Sequence, residues 1–258
     1  MIHIKTSAEM QAMREGGRLL AEILHDLALM AKIGVTTGEL NIKAEALMKK
    51  HNVIPSFKNY RGYPASICTS LNQEVVHAIP GKRTLNDSDI LKIDCGVIYK
   101  GMHTDAAVCV MLGNVPEKTR NFVLNVQKAL EKGIAEVKPN ARIGDIGFAI
   151  YRHIISHGYS VVHEYIGHGI GKSLHEEPEV PNEGKKGKGP LLLPGMTIAI
   201  EPIIAMGERF IDVLDDKWTS VTRDGLPACQ IEHTILVTTS GYEVLTKYNN
   251  TTFSVYAH

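Results

Sequence analysis

The chain is poor in cysteine, carries no net charge and has no long apolar run, and each lack excludes a class of protein. Its four cysteines, Cys68, Cys95, Cys109 and Cys229, stand far apart with no Cys-x-x-Cys spacing. That excludes a zinc ribbon or a disulfide framework and points to a reducing compartment. Twenty-eight basic residues balance 28 acidic ones across 258 positions, so no basic footprint for nucleic acid exists. No apolar run reaches membrane-spanning length, and Met1 to Thr6 leads into a helix signal with no leader-type apolar segment. The expectation is a cytoplasmic protein with no membrane or specific nucleic-acid partner. Nucleotide motifs fail by one residue each. A dinucleotide fingerprint from Gly167 needs glycine where Lys172 stands, and a P-loop ending at Ser173 needs glycine where Ile166 stands.

What the chain does have is histidine set among glycine. His168 and His175 flank a turn containing Gly167, Gly169 and Gly171, whose conformational freedom predicts a backbone passing close to a ligand or metal. Elsewhere Thr6-Ser7-Ala8-Glu9 has the spacing of a capping box and opens an amphipathic stretch to about Lys32. Thr36 to Glu39 caps a second helix to about His51. Asp89 to Val97 alternates as a half-buried strand does, followed by a strand from about His103 to Met111. Helices are predicted from Glu117 to Lys132 and up to His157. The run Glu183–Pro190, with Lys185, Lys186 and Lys188, reads as a flexible, solvated loop. Two matches at offsets of 106 and 107 residues point to an internal duplication: Thr36–Leu40 against Arg142–Ile146, and Leu91–Asp94 against Ile198–Glu201. The expectation is one domain over 1–258, with halves at roughly 1–115 and 116–258.

The acids decide the chemistry. Asp94 and Asp105 lie either side of a tight turn, and either hairpin register puts both carboxylates on one face, directly opposite or diagonal. Neighbouring carboxylates repel unless a cation or proton lies between them. Glu201 ends the apolar stretch Met196–Ile200 and precedes Pro202, and Glu232 interrupts an otherwise interior strand from Cys229 to Val237. Any one of these acids reads most simply as a solvent-facing residue; four with a glycine-flanked histidine do not. The set Asp94, Asp105, His168, Glu201 and Glu232 is too large for a catalytic zinc with three protein ligands and suits two divalent ions. Oxygen-rich ligation with one nitrogen fits manganese, iron, cobalt or zinc equally.

In order and spacing, these residues together with His77 and Gly167–Gly171…His175-Glu176-x-Pro178 resemble the methionine aminopeptidases, specifically the short type I enzymes, over essentially the whole chain. The interval from Glu201 to Glu232 leaves no room for the insertion that marks type II, and no zinc-finger extension is expected. The resemblance implies an α+β pita-bread fold, a curved antiparallel sheet covered by helices in two pseudo-equivalent halves. It implies a two-metal hydrolase that removes N-terminal methionine from peptides and nascent proteins by attack of a metal-activated water. Asp94 would chelate one ion, Asp105 and Glu232 would bridge both, and His168 and Glu201 would complete the second. Glu201 would also shuttle a proton, His175 would hydrogen-bond the substrate amide, and His77 would lie near the scissile nitrogen. Phe57, Tyr60, Tyr63, Cys68 and Trp218 would line the methionine pocket. A monomer is implied, with ribosome association a further expectation. Three positions depart from family usage: Gly96 where threonine is common, Phe57 where cysteine is frequent, and Leu174 where an aromatic often stands. They bear on pocket dimensions, and at Gly96 on a lost hydrogen bond. His103 is expected near the acids but outside the ligand set; His153, His157 and His163 read as structural or surface residues. The rival readings are an X-Pro aminopeptidase or prolidase, for which no extra N-terminal domain is expected here, and a non-catalytic binding module of the same fold.

Overall fold

The computed structural model describes residues 2–249, 251–252 and 254–258. Four helices cover antiparallel sheet: α1 Ser7–Met30, α2 Thr37–Lys50, α3 Glu117–Ala135 and α4 Ile143–Ser156. The capping residues read from sequence start the first two. Thr6 Oγ1 accepts from Glu9 N at 3.3 Å while Thr6 N donates to Glu9 Oε2 at 2.8 Å. Thr36 and Glu39 repeat the arrangement at 3.2 and 2.7 Å. The buried face of α1, including Leu20, Ile23, Leu24 and Leu27, packs with α2 on the first sheet; the apolar faces of α3 and α4 pack on the second.

The centre of the first sheet is a hairpin, Ile90–Tyr99 against Met102–Met111. Lys100 and Gly101 turn it with φ of 49° and 78°, the left-handed pair that a two-residue hairpin loop requires. The register is the diagonal one: Asp94 faces Ala107 and Asp105 faces Gly96. The alternation around Asp89–Val97 predicts one wet face, but Ile90 to Val97 is buried throughout. Helices cover one side and the second half of the chain covers the other, through a two-way backbone bridge between Ala107 and Glu232. Even Lys92 is enclosed, its Nζ donating to the Asn72 carbonyl at 2.9 Å.

In the second half, Thr197–Ile200 and then Ile203–Ala205 run antiparallel to His233–Val237 and Ala228–Gln230. His233 opposite Ile200 and Gln230 opposite Ile203 keep one register across the interruption, which sets Glu201 opposite Glu232. Gly167–Gly169 adds to this sheet with His168 facing Ala199, two residues before Glu201.

The offset seen in the sequence recurs in hydrogen bonds. Gly34 N, Thr37 N and Gly38 N donate to the carbonyls of Leu85, Arg83 and Gly81. Asn140 N, Ile143 N and Gly144 N donate to those of Leu192, Pro190 and Lys188. The lysine-rich run is therefore exposed but not loose: Lys188 O is bound to the start of α4, and Gly187 N donates to Asp145 Oδ1 at 2.6 Å. It is the solvated surface loop that its composition predicts, and composition gives no sign of the backbone pairing that ties it to α4.

Candidate metal centre

The two halves meet at Ala107, and around that small residue one row of the structure carries Asp94, Glu232 and Glu201, with Asp105 two residues along the strand. All five expected ligands line one cleft of about 140 Å³. Each is nearly enclosed, from 2 % exposed at Glu232 to 8 % at His168 and Glu201. Ligand atoms of Asp105, His168 and Glu232 lie within 4.8 Å of one another, and His168 Nε2 is 3.8 Å from Glu201 Oε1. His168 Nδ1 lies 2.9 Å from the Gly169 carbonyl, so Nδ1 carries the hydrogen and Nε2 presents its lone pair to the cleft.

The electrostatics are those of a cation site. Burial pushes Asp94 up to about 7, with the Gln230 amide opposing the shift. Asp105, Glu201 and Glu232 are raised well above the usual carboxylate range, first by burial and then by the charge of neighbouring carboxylates, Asp94 among them in each case. Burial, and then His175, lower His168 to about 3, so its imidazole is neutral. Asp94 Oδ1, Asp105 Oδ1 and Glu232 Oε1 are buried and accept no hydrogen bond among the described residues. Orphaned carboxylate oxygens are costly in a folded interior, and a divalent ion is the partner that satisfies several at once. The donor set therefore fits divalent metal.

The remaining predicted residues also line this cleft: His77, His175, Phe57, Tyr60, Tyr63, Cys68 and Trp218. His175 is exposed at the rim, its Nδ1 2.7 Å from Tyr60 Oη and its ring 4.3 Å from that of His168. His77 has φ of 62°, unusual for a residue with a side chain, and stands edge-on to Tyr165 at 5.0 Å. Tyr63 and Trp218 meet edge to face at 5.0 Å. His103 is outside the cleft lining, bonded through Nδ1 to Ser56 Oγ at 3.0 Å. The rings of His153 and His157 meet at a tilt of 47° with centroids 4.5 Å apart, and His163 pairs with Glu183 at the surface.

Two expectations need correction. The glycine run does not carry positive φ, and its missing side chains admit protein and not ligand. A Cβ on Gly167 would strike the Ala199 carbonyl, one on Gly169 the Glu177 carbonyl, and one on Gly171 the Lys5 side chain. Gly96 and Phe57, two separate departures by sequence, share one space: a Cβ on Gly96 would lie 2.9 Å from Phe57 Cε1 and 2.9 Å from Ser56 Cβ. Sequence reasoning missed Gln230, whose Nε2 lies 3.2 Å from Asp94 Oδ2 and 3.1 Å from Glu201 Oε2, and Arg61 at the rim. Position was the available signal for Gln230, which stands two residues before Glu232 on a strand and hence on its face.

The sequence profile of metallopeptidase family M24 matches residues 11–239. Methionine aminopeptidase 1 of Bacillus subtilis is 43 % identical over 247 residues, covering 96 % of this chain and all of that protein. The chain belongs to the methionine aminopeptidases of family M24. Their pita-bread fold is its fold: the crystal structure of methionine aminopeptidase from Thermotoga maritima superposes with a TM-score of 0.95 at 39 % identity, covering 96 % of this chain and all of that one. Prolidase from Pyrococcus furiosus, at 22 % identity and a TM-score of 0.76 over 96 % of this chain and 66 % of its own, shares the fold alone. As a member of a metallopeptidase family this chain is a hydrolase, and its buried Asp-His-Glu cluster is where the family's metal chemistry fits.

Proposed function

We propose that the chain removes N-terminal, including initiator, methionine from peptides and nascent proteins, with two divalent ions held by Asp94, Asp105, His168, Glu201 and Glu232. The observation that carries this reading is the row of orphaned carboxylates beside one oriented imidazole, in the same cleft as Phe57, Tyr60, Tyr63 and Trp218. Asp94 would hold one ion, Asp105 and Glu232 would be shared between the two, and His168 with Glu201 would hold the other. Bound there, such ions supply an activated water and polarise the scissile carbonyl.

The protein's own groups do the rest. Glu201, held by the Gln230 amide at 3.1 Å, takes a proton from the attacking water and passes it to the leaving amine. His175 donates to the oxygen that gains charge as the carbonyl is attacked, oriented by Tyr60 on its other nitrogen. His77 faces the nitrogen of the bond that breaks. Phe57, Tyr60, Tyr63, Cys68 and Trp218 receive the methionine side chain, where thioether–aromatic contacts contribute about 0.3–1.5 kcal/mol and shape supplies the remaining discrimination. Gly96, by leaving room for Phe57, sets that shape.

Among the described residues no helix is long and apolar enough to cross a membrane. We infer a cytoplasmic monomer built as one domain of two duplicated halves, meeting nascent chains at the ribosome. The deciding assay reconstitutes metal-stripped protein with manganese or cobalt and offers Met-Ala-Ser beside Ala-Pro-Ser. Cleavage of the methionyl peptide alone is expected; preference for the prolyl peptide overturns the reading in favour of an X-Pro peptidase.

A further inference from the structure

Lys5 is buried in a segment that the chemistry above does not use. Its Nζ lies 2.7 Å from Glu176 Oε2, and its side chain is 1 % exposed. The backbone fixes where it starts, since Lys5 N donates to the Gly195 carbonyl at 2.9 Å and the next residue, Thr6, caps α1. Glu176 follows His175 directly, and its other oxygen accepts from Ser173 N at 3.0 Å, closing the turn from Ser173 to Glu176 on itself. Gly171, at the start of the same turn, is where the lysine passes: a Cβ there would meet Lys5 Cε and lie 2.8 Å from its Nζ. The Gly171 carbonyl accepts from His103 N at 2.7 Å, and Lys172 pairs with Glu9 of α1 at 3.0 Å. One turn is thus held at its start, middle and end, and His175 projects from it to the cleft rim.

We propose that Lys5 is a positioning residue for His175, with the Lys5–Glu176 ion pair fixing the turn so that the imidazole stays on Tyr60 and over the cleft. The argument rests on the functional reading above only for the consequence, not for the contact. The ammonium is enclosed, with the His3 carbonyl at 3.3 Å as its other acceptor, and the Glu176 side chain is only 14 % exposed, so the pair has little water as an alternative partner, whereas exposed pairs are loose. His175 is itself exposed and has one side-chain hydrogen bond, so the backbone beneath it must supply its order.

The test uses full-length, metal-reconstituted protein and the variants Lys5→Met, Gly171→Ala and their combination. Lys5→Met is expected to lower kcat on Met-Ala-Ser at least tenfold, with KM within about twofold and metal content unchanged. Gly171→Ala is expected to reproduce the loss by displacing the ammonium, and the double variant to be no worse than either single. Independently of substrate, the 15N signal of His175 Nδ1 in histidine-labelled protein should lose its hydrogen-bonded character in each variant. Should Lys5→Met fold poorly, Glu176→Gln, which keeps the shape and removes the charge, is read in the same two ways. An unchanged His175 signal with unchanged kcat overturns the proposal, as does a kcat loss that only tracks lost metal or lost folded protein. Wild-type protein that cleaves no methionyl peptide refutes the functional reading instead, and the His175 signal still decides the role of Lys5.

Discussion

Replacing Gly96 by alanine tests whether the two departures at 57 and 96 are one feature. The backbone at Gly96 is ordinary strand, so alanine is not strained there and restricts the unfolded chain, a gain of about 0.4–1 kcal/mol. Against this stand two contacts at 2.9 Å, to Phe57 Cε1 and Ser56 Cβ. Ser56 cannot retreat easily, because its N donates to the Gly96 carbonyl at 2.9 Å and its Oγ contacts His103. Overpacking of this kind costs about 1–3 kcal/mol. The collision wins, leaving a net loss on the order of 1–2 kcal/mol, or roughly 2–8 °C in Tm for a chain of this size. The ring is the freer partner and moves toward the cleft, so KM for methionyl peptides should rise while metal content holds. Urea unfolding and steady-state kinetics on Gly96→Ala, Phe57→Leu and the double variant measure both. Since leucine removes the ring edge but not Ser56, the double variant should recover about 0.5 kcal/mol or more and part of KM. Wild-type stability and KM in Gly96→Ala, or a loss that Phe57→Leu leaves untouched, refutes the reasoning.

Other consequences follow from the same geometry. Glu232→Ala and Asp105→Ala should each abolish the two-ion site and activity together, read as ions bound per chain by elemental analysis; full activity in either sinks the bridging role. His175→Ala should lower kcat by about 10²–10³, as loss of an oxyanion donor does, while leaving ion binding intact. A collapse of ion binding would make His175 a ligand. In metal-free protein burial keeps the four raised carboxylates protonated to higher pH than free ones, whereas His168, lowered to about 3, stays neutral with its hydrogen on Nδ1. Because those acids titrate higher folded than unfolded, their contribution to the stability of stripped protein is lost as pH rises, for Asp94 from about 4 through 7. A divalent ion displaces the protons, so its affinity should climb with pH. Calorimetry in buffers of different ionisation enthalpy should show more protons released per ion at pH 6 than at pH 8; no release at either pH refutes it.

The linear sequence named the acids and the imidazole that the fold gathers into one cleft, because metal chemistry needs such groups at fixed strand and turn positions. Asp94 and Asp105 share a face in either register, and Glu201 and Glu232 mark where apolar strands break. The capping boxes at Thr6 and Thr36 set helix starts for the same reason: their partners lie three residues away. What needed the tertiary structure is what depends on atoms far apart in the chain. Only packing across the two halves encloses Ile90–Val97 on both faces, puts Gln230 between Asp94 and Glu201, and joins Phe57 to Gly96. The glycines of the 167–171 turn show the limit most plainly. Their presence announces a close approach, but whether ligand, carbonyl or the Lys5 side chain comes close is decided by a neighbour that local sequence does not name.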